Sequence, residues 1–308
     1  MSKIKRPHIN PILKKELVVN SRNMKMSWAI FGLNAFLSVV ALTTMYALEL
    51  SSADGGYNYS SLVSLFPILG VLECVILSFA IPTMTSGSIS GERERQTLDI
   101  MLTTPVKPFS IALGKLESAL VLVMMYMVSS IPVLSIAFIL GGLDWSLLLG
   151  LLVMMLYLGI YVGSVGIFCS SIVKKTVAAS MLTMLIGIAV IILTVMVYSS
   201  VVSLKYSLNV VNNGVYELYV VYEPIILMFN PYAPVVDFFL QSFSSISVYD
   251  LINAYAPAGG LGNVMTFIYK HWMLFTGALN LLVSLGFLKL ASLNIAATRR
   301  RKPKKAKA

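Results

Sequence analysis

The fold of this chain is decided by a charged segment that separates two long apolar runs, Ser88-Ile-Ser-Gly-Glu-Arg-Glu-Arg-Gln-Thr-Leu-Asp-Ile-Met-Leu-Thr-Thr-Pro105. The residues from Glu92 to Arg95 are all charged, although only 12% of the 308 residues are Asp, Glu, Lys or Arg and 57% are hydrophobic. Such a composition indicates an integral membrane protein. We therefore expect the charged segment to be a loop between two membrane spans.

The apolar runs on both sides of this segment belong to a larger set. A helix needs about 20 apolar residues to cross a bilayer core of about 30 Å. Six stretches reach that length: Trp28–Leu50, Leu62–Met84, Leu116–Leu140, Trp145–Val173, Thr176–Val202 and Tyr269–Ala291. The sequence thus predicts an all-α integral membrane protein with a six-helix transmembrane domain over residues 28–295.

The distribution of basic residues predicts the orientation. Lys and Arg near the ends of spans are retained on the cytoplasmic side. They concentrate before span 1, after span 2, between spans 4 and 5, and in the tail. We therefore expect both termini, the loop 87–108 and the basic tail 296–308 to be cytoplasmic, and the segment 203–268 to be external. Because these basic residues are split among segments that flank the membrane, the net charge of +10 favours contact with anionic lipid over nucleic acid.

The N-terminal arm, residues 1–27, has the pattern of an interfacial helix. Asn10-Pro11 combines a helix-capping residue with a proline at the first helical position, and Ile12, Leu13 and Leu17 share one side of the helix that follows. We expect an amphipathic helix at the inner membrane surface. A basic stop-transfer flank without further role is the alternative.

The segment 203–268 is the largest region without a span. Its apolar stretches are interrupted by Asn230-Pro-Tyr-Ala-Pro234, which breaks any continuous helix. Short external or re-entrant helices before the last span fit this pattern. A small external cap is the alternative.

The charged segment itself has helical spacing. Glu92 is three residues before Arg95, which is four before Asp99, and Leu98 and Leu102 share one face. This predicts a short amphipathic helix that can dock on a soluble partner. A solvated loop with incidental ion pairs is the alternative.

The stretch from Gly91 to Pro105, followed by Val106 and Gly114-Lys115, resembles the signature loop of permeases of the type 2 class of ATP-binding-cassette exporters. That loop has an acidic and basic cluster, Thr-Leu-Glu, a leucine pair, Thr/Ser-Pro, and Gly-Lys at the start of span 3. The six spans, the amphipathic arm and the long external segment agree with it. Many members have glycine immediately before the threonine. This chain has Gln96 there, which puts a glycine-dependent turn in doubt.

The resemblance implies that part of this loop couples the permease to a nucleotide-binding ATPase subunit; the residues concerned are Gly91, Glu92, Arg93, Glu94, Arg95, Gln96, Thr97, Leu98 and Asp99. The chain's one Gly-Lys pair, Gly114-Lys115, is followed by Leu116 and lacks the upstream glycine of a phosphate-binding loop. We therefore expect no cofactor in this chain, with ATP and magnesium bound by the partner. Two permease chains, identical or related, would enclose the path. By analogy, the membrane is the bacterial cytoplasmic membrane.

Ionisable and small residues within the spans are further candidates. Glu73 lies near the middle of span 2, where a charge costs about 3 kcal/mol. It is a candidate for the substrate path or a proton-sensitive site, or else a carboxyl bonded to Ser or Thr on a neighbouring span. Gly159 and Gly163 have the spacing of close helix packing, within one chain or at a dimer seam. Glu117, beside Lys115, is expected to form an interfacial ion pair.

The function that best fits the sequence is an exporter permease with an amphiphilic substrate, and three other classes of function are the alternatives. An ion-coupled secondary transporter needs several ionisable residues in its spans, and Glu73 alone is thin support. An intramembrane enzyme needs a catalytic cluster at membrane depth, and the spans lack one; Cys74 and Cys169 are expected to be packing residues. A membrane anchor or sensor that borrows an ATPase without transporting remains compatible with the sequence.

Overall fold

The computed structural model describes residues 24–51, 63–98, 107–141, 144–213, 221–244, 246–256 and 261–300. Within these ranges the chain forms helices and no strand: α1 Met24–Ser51, α2 Leu65–Glu94, α3 Pro108–Gly141, α4 Trp145–Ile172, α5 Thr176–Asn213, a 3-10 helix Glu223–Phe229, α6 Ala233–Ser244, α7 Val248–Asn253, α8 Asn263–Lys270 and α9 Trp272–Arg300. The interfacial arm before residue 24, Asp99 and the tail after residue 300 lie outside the described residues.

Six of the helices in the described ranges are long and apolar enough to cross a membrane: Ser27–Leu48, Leu65–Glu94, Pro108–Ile139, Trp145–Ile172, Thr176–Leu208 and Trp272–Ala296. The prediction of six spans is therefore confirmed. Consecutive spans run in opposite directions, so Arg93, Lys115 and Lys174 lie at one end of the bundle. We call this the basic end.

The predicted span limits were wrong mainly at the basic end. α2 continues past Met84 to Glu94, and α3 begins at Pro108 rather than at Leu116. The Ser, Gly and charged residues there are not apolar enough to be recognised as part of a span, but a helix that satisfies its own backbone hydrogen bonds continues into them. The first half of the charged segment is therefore the last turns of a span and not a separate helix.

α4 is the central helix of the bundle. Its most apolar stretch is 67% buried, against 6% for α5. Leu151, Met155 and Leu158 are fully buried in a core shared with α2 and α3. Neighbouring helices come close to α4 because it carries small residues at the contacts. A Cβ atom placed on Gly166 would lie 2.0 Å from Thr85 Oγ1 of α2.

The region between α5 and α9 folds back into the bundle. Phe243, near the end of α6, lies beside Phe66 near the start of α2, with ring centroids 5.9 Å apart. Tyr232, just before α6, contacts Ser78. Ser78 lies about 18 Å further along α2 than Phe66, at 1.5 Å per residue. The 3-10 helix and α6, residues 223–244, thus form a re-entrant hairpin rather than a separate external cap.

Polar side chains on two spans hold the turn of the re-entrant hairpin. Thr194 Oγ1 of α5 accepts a hydrogen bond from Asn230 Nδ2 at 3.1 Å, and Asn280 Nδ2 of α9 donates to the Met228 carbonyl at 2.9 Å. Asn230 Oδ1 accepts from the Tyr232 N–H at 2.9 Å. Non-helical backbone at membrane depth needs such partners because lipid provides none.

Candidate functional site

At the basic end, α2 ends in a tight turn. The Gln96 N–H donates to the Arg93 carbonyl at 3.2 Å, and the Thr97 N–H donates to the Glu92 carbonyl at 2.9 Å. Gln96 has a φ of 58°, in the left-handed region. These bonds define the Schellman motif, in which glycine is the usual residue at the left-handed position. The turn that the glutamine put in doubt therefore forms with Gln96 in the glycine position.

Next to this turn, Glu92 joins α2 to α3. Its Oε1 lies 3.4 Å from Lys115 Nζ, and its Oε2 accepts a hydrogen bond from the Thr97 hydroxyl. The Lys115 side chain is 5% exposed and that of Glu92 20% exposed. The expected pairs of Glu92 with Arg95 and of Lys115 with Glu117 are thus replaced by a pair between two helices. Because α3 already begins at Pro108, Lys115 lies within that helix and beside Glu92 in the last turn of α2.

The two residues that follow Glu92 hold the turn between α4 and α5. Arg93 donates to the carbonyls of Ser171 at 3.3 Å and Val173 at 3.5 Å, at the end of α4. Glu94 accepts from the Thr176 N–H at 3.0 Å and from the Thr176 hydroxyl at 2.7 Å, at the start of α5. Each charge has the sign that its helix end favours. We call Arg93 and Glu94, with the turn they hold, the clamp.

A second set of contacts extends the clamp into the bundle. The hydroxyl of Ser170 on α4 accepts from the backbone N–H groups of Ile89 at 3.0 Å and Ser90 at 2.9 Å, and donates to the Ser86 carbonyl. This hydroxyl therefore sits inside the hydrogen-bond ladder of α2, an arrangement that bends helices. Asn294 of α9 donates to Ser171 at 3.1 Å. The basic ends of α2, α4 and α9 are thus joined by polar contacts.

The nine predicted coupling residues divide by exposure. Glu94, Arg95 and Gln96 are exposed, next to the exposed Lys174 and Lys175 of the α4–α5 turn. The side chains of Glu92, Arg93 and Thr97 are partly buried and make the contacts described above. Leu98 is 6% exposed and belongs to an apolar cluster with residues of α3 and α9. Gly91 lies on the side of α2 that faces Thr176. Asp99 lies outside the described residues.

Sequence reasoning missed three residues that complete this arrangement. Thr176 and Ser170 were assigned only to spans, and Lys115 was paired with the wrong carboxylate. Thr176 carried a signal, because it follows Lys174-Lys175 and is the first residue of a long apolar run, as a helix N-terminus would be. Ser170 carried none, since its partners are about 80 residues away in the sequence.

Glu73 is fully buried between α2 and α3. Its Oε1 is hydrogen-bonded to the Ser130 hydroxyl, which also donates to the Met127 carbonyl at 2.9 Å. Glu73 Oε2 has no hydrogen-bond partner among the described residues. This geometry matches the structural reading of Glu73, a carboxyl bonded to a neighbouring span.

Gly159 and Gly163 face α3 of the same chain. A Cβ atom on Gly159 would lie 3.1 Å from Leu120, and one on Gly163 would lie 2.8 Å from Leu116. The four-residue spacing therefore serves close packing of α4 on α3.

Comparison of the sequence with known proteins identifies the family of this chain. A comparison with curated protein sequences finds none that matches this chain. A family model described as ABC-2 family transporter protein matches residues 11–292, which include the first five spans, most of the sixth, the charged segment and the re-entrant hairpin. Membrane components of this family work, in general, with an ABC ATP-binding partner. The chain is therefore a multi-pass membrane permease that belongs to the ABC-2 family of transporter proteins.

Proposed function

We propose that this chain is the membrane subunit of an exporter driven by a separate ATP-binding-cassette ATPase. The clamp is the observation that carries the proposal. It connects the exposed turn at the end of α2 to the end of α4 and the start of α5 by direct hydrogen bonds. A partner that pushes on this turn would move three spans together.

The exposed surface around the clamp is suited to a soluble partner. Arg95, Lys174 and Lys175 are exposed there beside the Glu94 carboxylate, and these four side chains together carry a net positive charge. An ATPase subunit with acidic residues at its contact surface would complement it. The same basic residues favour the cytoplasmic side for this end, where ATP is available. ATP and magnesium are bound by the partner.

A movement of the clamp would reach the substrate through α5 and the spans on which α5 packs. α5 packs on α2 and α4, but only 6% of the residues in its most apolar stretch are buried. The corresponding share for α1 is 17%. These surfaces are available to lipid or to a second permease chain, identical or related. Two such chains would alternately open a path between them, in the cytoplasmic membrane of a bacterium.

The proposal is tested by recovering the partner from intact membranes. The chain is affinity-purified from its native membrane, and the ATPase activity and ATP-binding subunits that accompany it are measured. The double variant Lys174→Glu/Lys175→Glu reverses the two exposed charges of the turn in the clamp, and Lys270→Glu reverses one exposed charge at the opposite end of the bundle.

We expect the wild type and Lys270→Glu to retain an ABC ATPase and the double variant to lose it. Absence of an ATPase from the folded wild-type protein, after crosslinking in the membrane before extraction, would overturn the proposal. Equal retention by all three proteins would show that the partner binds elsewhere, and would overturn the role given to the clamp.

A further inference from the structure

Two cavities meet at the turn of the re-entrant hairpin. The first, of about 280 Å³, lies between α2, α4 and α5 on the side of the basic end, and Ser78, Pro82, Val162, Thr183 and Gly187 help to line it. The second, of about 300 Å³, lies between α2 and α6 towards the opposite end, and Val71, Cys74, Val236 and Phe239 help to line it. Val75 and Tyr232 line both. We call them the inner and the outer cavity.

The lining of the cavities defines the chemistry of an occupant. The described residues that line them are all uncharged, and most are apolar. The hydroxyls of Ser78, Thr183 and Tyr232 are the polar groups of the inner cavity. Pro82 has no N–H, so it donates no helical hydrogen bond to the Ser78 carbonyl one turn earlier. An apolar body with a single uncharged hydrogen-bonding group fits this arrangement, as in ligand pockets generally.

Gly187 keeps the inner cavity open. A Cβ atom built on it would have no neighbour within 4 Å. Thr183, Gly187 and Ile191 follow one another at four-residue spacing on α5, and all three line the cavity. A larger side chain at position 187 would therefore enter the cavity without displacing the backbone around it.

Tyr232 is connected to the clamp through α5. The hairpin turn that carries Tyr232 is bonded to Thr194 by Asn230, and α5 begins at Thr176, which is bonded to Glu94. Thr176 and Thr194 are about 27 Å apart along one helix, at 1.5 Å per residue. A shift of the clamp along this helix is passed on to the residue that separates the two cavities.

We propose that the inner and outer cavities form the binding site of an uncharged amphiphile with a long alkyl chain, and that Tyr232 divides this site into two compartments. The proposal rests on the proposed function, because it names the class of cargo for that exporter. The inner cavity takes the polar group against Ser78 and Tyr232, and the alkyl chain lies along the apolar wall of α2. Passage to the outer cavity requires the Tyr232 ring to move.

The site is tested with the complete permease and its ATPase in phosphatidylcholine nanodiscs. The probe is hexadecanol carrying a photoactivatable diazirine, and crosslinked residues are located by mass spectrometry. The variant Gly187→Leu fills the inner cavity. The matched control is Gly277→Leu on α9, whose added Cβ also has no neighbour within 4 Å and which lines neither cavity.

We expect labelling of α2 and α5 around Ser78 and Thr183 in the wild type and in Gly277→Leu, and about a tenfold loss of affinity in Gly187→Leu, equivalent to about 1.4 kcal/mol. Tyr232→Phe keeps the ring and removes its hydroxyl. It should weaken labelling by the alcohol probe and leave labelling by a diazirine hexadecane unchanged. Equal labelling of the wild type and Gly187→Leu would overturn the proposal.

Membrane lipids also have long alkyl chains and could occupy the two cavities. A second pair of measurements distinguishes a bound lipid from a transported cargo. Cargo labelling should fall when the ATPase is trapped with vanadate, whereas lipid labelling should not. Labelling by a photoactivatable phosphatidylcholine alone, insensitive to trapping, would identify a lipid site and overturn the proposal. If the ATPase is retained in the nanodiscs but the alcohol probe never labels the cavities, this inference fails while the proposed function stands.

Discussion

Glu94 at the end of α2 accepts two hydrogen bonds from Thr176 at the start of α5, one from its backbone N–H at 3.0 Å and one from its hydroxyl at 2.7 Å. A helix start is usually capped by the residue just before it in the chain. Here the capping carboxylate comes from another span, so the start of α5 is well ordered only while α2 is in place.

Removal of this contact should loosen the start of α5. We expect Glu94→Ala to speed amide hydrogen exchange at residues 176–180 and to lower the coupled ATPase activity of the complex several-fold, because the N–H of Thr176 at the start of α5 loses its acceptor. Exchange is measured by mass spectrometry in nanodiscs. Asp250→Ala is the matched control, since Asp250 also accepts one N–H and one hydroxyl, both from Ser247, at the opposite end of the bundle. Unchanged exchange in Glu94→Ala would contradict the role of the clamp.

Gln96 should be replaceable by glycine with a gain in stability. Its φ of 58° is unfavourable for a residue with a Cβ atom, by about 1 kcal/mol or more. Gln96→Gly should therefore raise the thermal unfolding temperature in detergent. Gln96→Val should lower it, because a β-branched residue tolerates this conformation least. A Gln96→Gly variant less stable than the wild type would show that the Gln96 side chain contributes more than its backbone costs.

Glu73 should act as a structural hydrogen-bonding group that accepts from Ser130. Glu73→Gln retains a donor and an acceptor beside Ser130, so we expect ATP-dependent activity like that of the wild type at every pH at which the complex is stable. Ser130→Ala should cost about 1 kcal/mol of stability through the lost hydrogen bond. Activity that depends on pH in the wild type and is abolished in Glu73→Gln would contradict this role and support a place for Glu73 in the substrate path.

Stability at the opposite end of the bundle should fall in acid. Burial raises the pKa of Glu223, but hydrogen bonds from Lys205 Nζ at 2.6 Å and from the N–H groups of Val221 and Tyr222 outweigh burial and lower it below 4.5. A depressed pKa in the folded state means that the contribution of Glu223 is complete above about pH 4.5 and is lost as the pH falls through the folded value. Glu223→Gln should remove this part of the pH dependence of thermal unfolding. An identical acid profile in Glu223→Gln would contradict it.

Gly166 should tolerate no side chain. Its added Cβ would lie 2.0 Å from Thr85 Oγ1, so Gly166→Ala should destabilise the protein by about 1 to 3 kcal/mol through overpacking. Gly286→Ala on α9 is the control, because nothing lies within 4 Å of its added Cβ. Alanine is the better helix former, so this control should be neutral or stabilising. Thermal unfolding in the same detergent compares the two.

Much of the fold was predictable because span length is a property of local sequence. An apolar run of about 20 residues identifies a span whatever surrounds it. The extension of α2 to Glu94 was not predictable in this way, since Gly91 and the charges after it have no hydropathy signal. The family likeness predicts a coupling segment at this place in the chain, but it did not predict that the first half of the segment continues α2.

The contacts of the candidate site were harder to predict than its position. Helical spacing paired Glu92 with Arg95, but Glu92 contacts Lys115, which lies 23 positions away in the sequence. The partners of Arg93 and Glu94 depend on how α4 and α5 are placed beside α2. Such tertiary contacts, between residues about 80 positions apart, leave no periodic pattern in one sequence.

The length of α5 has a consequence for the lipid around the protein. Its spanning part, Thr176–Leu208, has 33 residues. It is about 50 Å long, against a hydrocarbon thickness of about 30 Å. A long helix usually adapts to this mismatch by tilting. α5 is held at its start by Glu94 and near its middle by Asn230, so its tilt is tied to the clamp and to the hairpin turn. A change in bilayer thickness that alters this tilt would therefore act as a mechanical load on the clamp and on the hairpin turn at the same time.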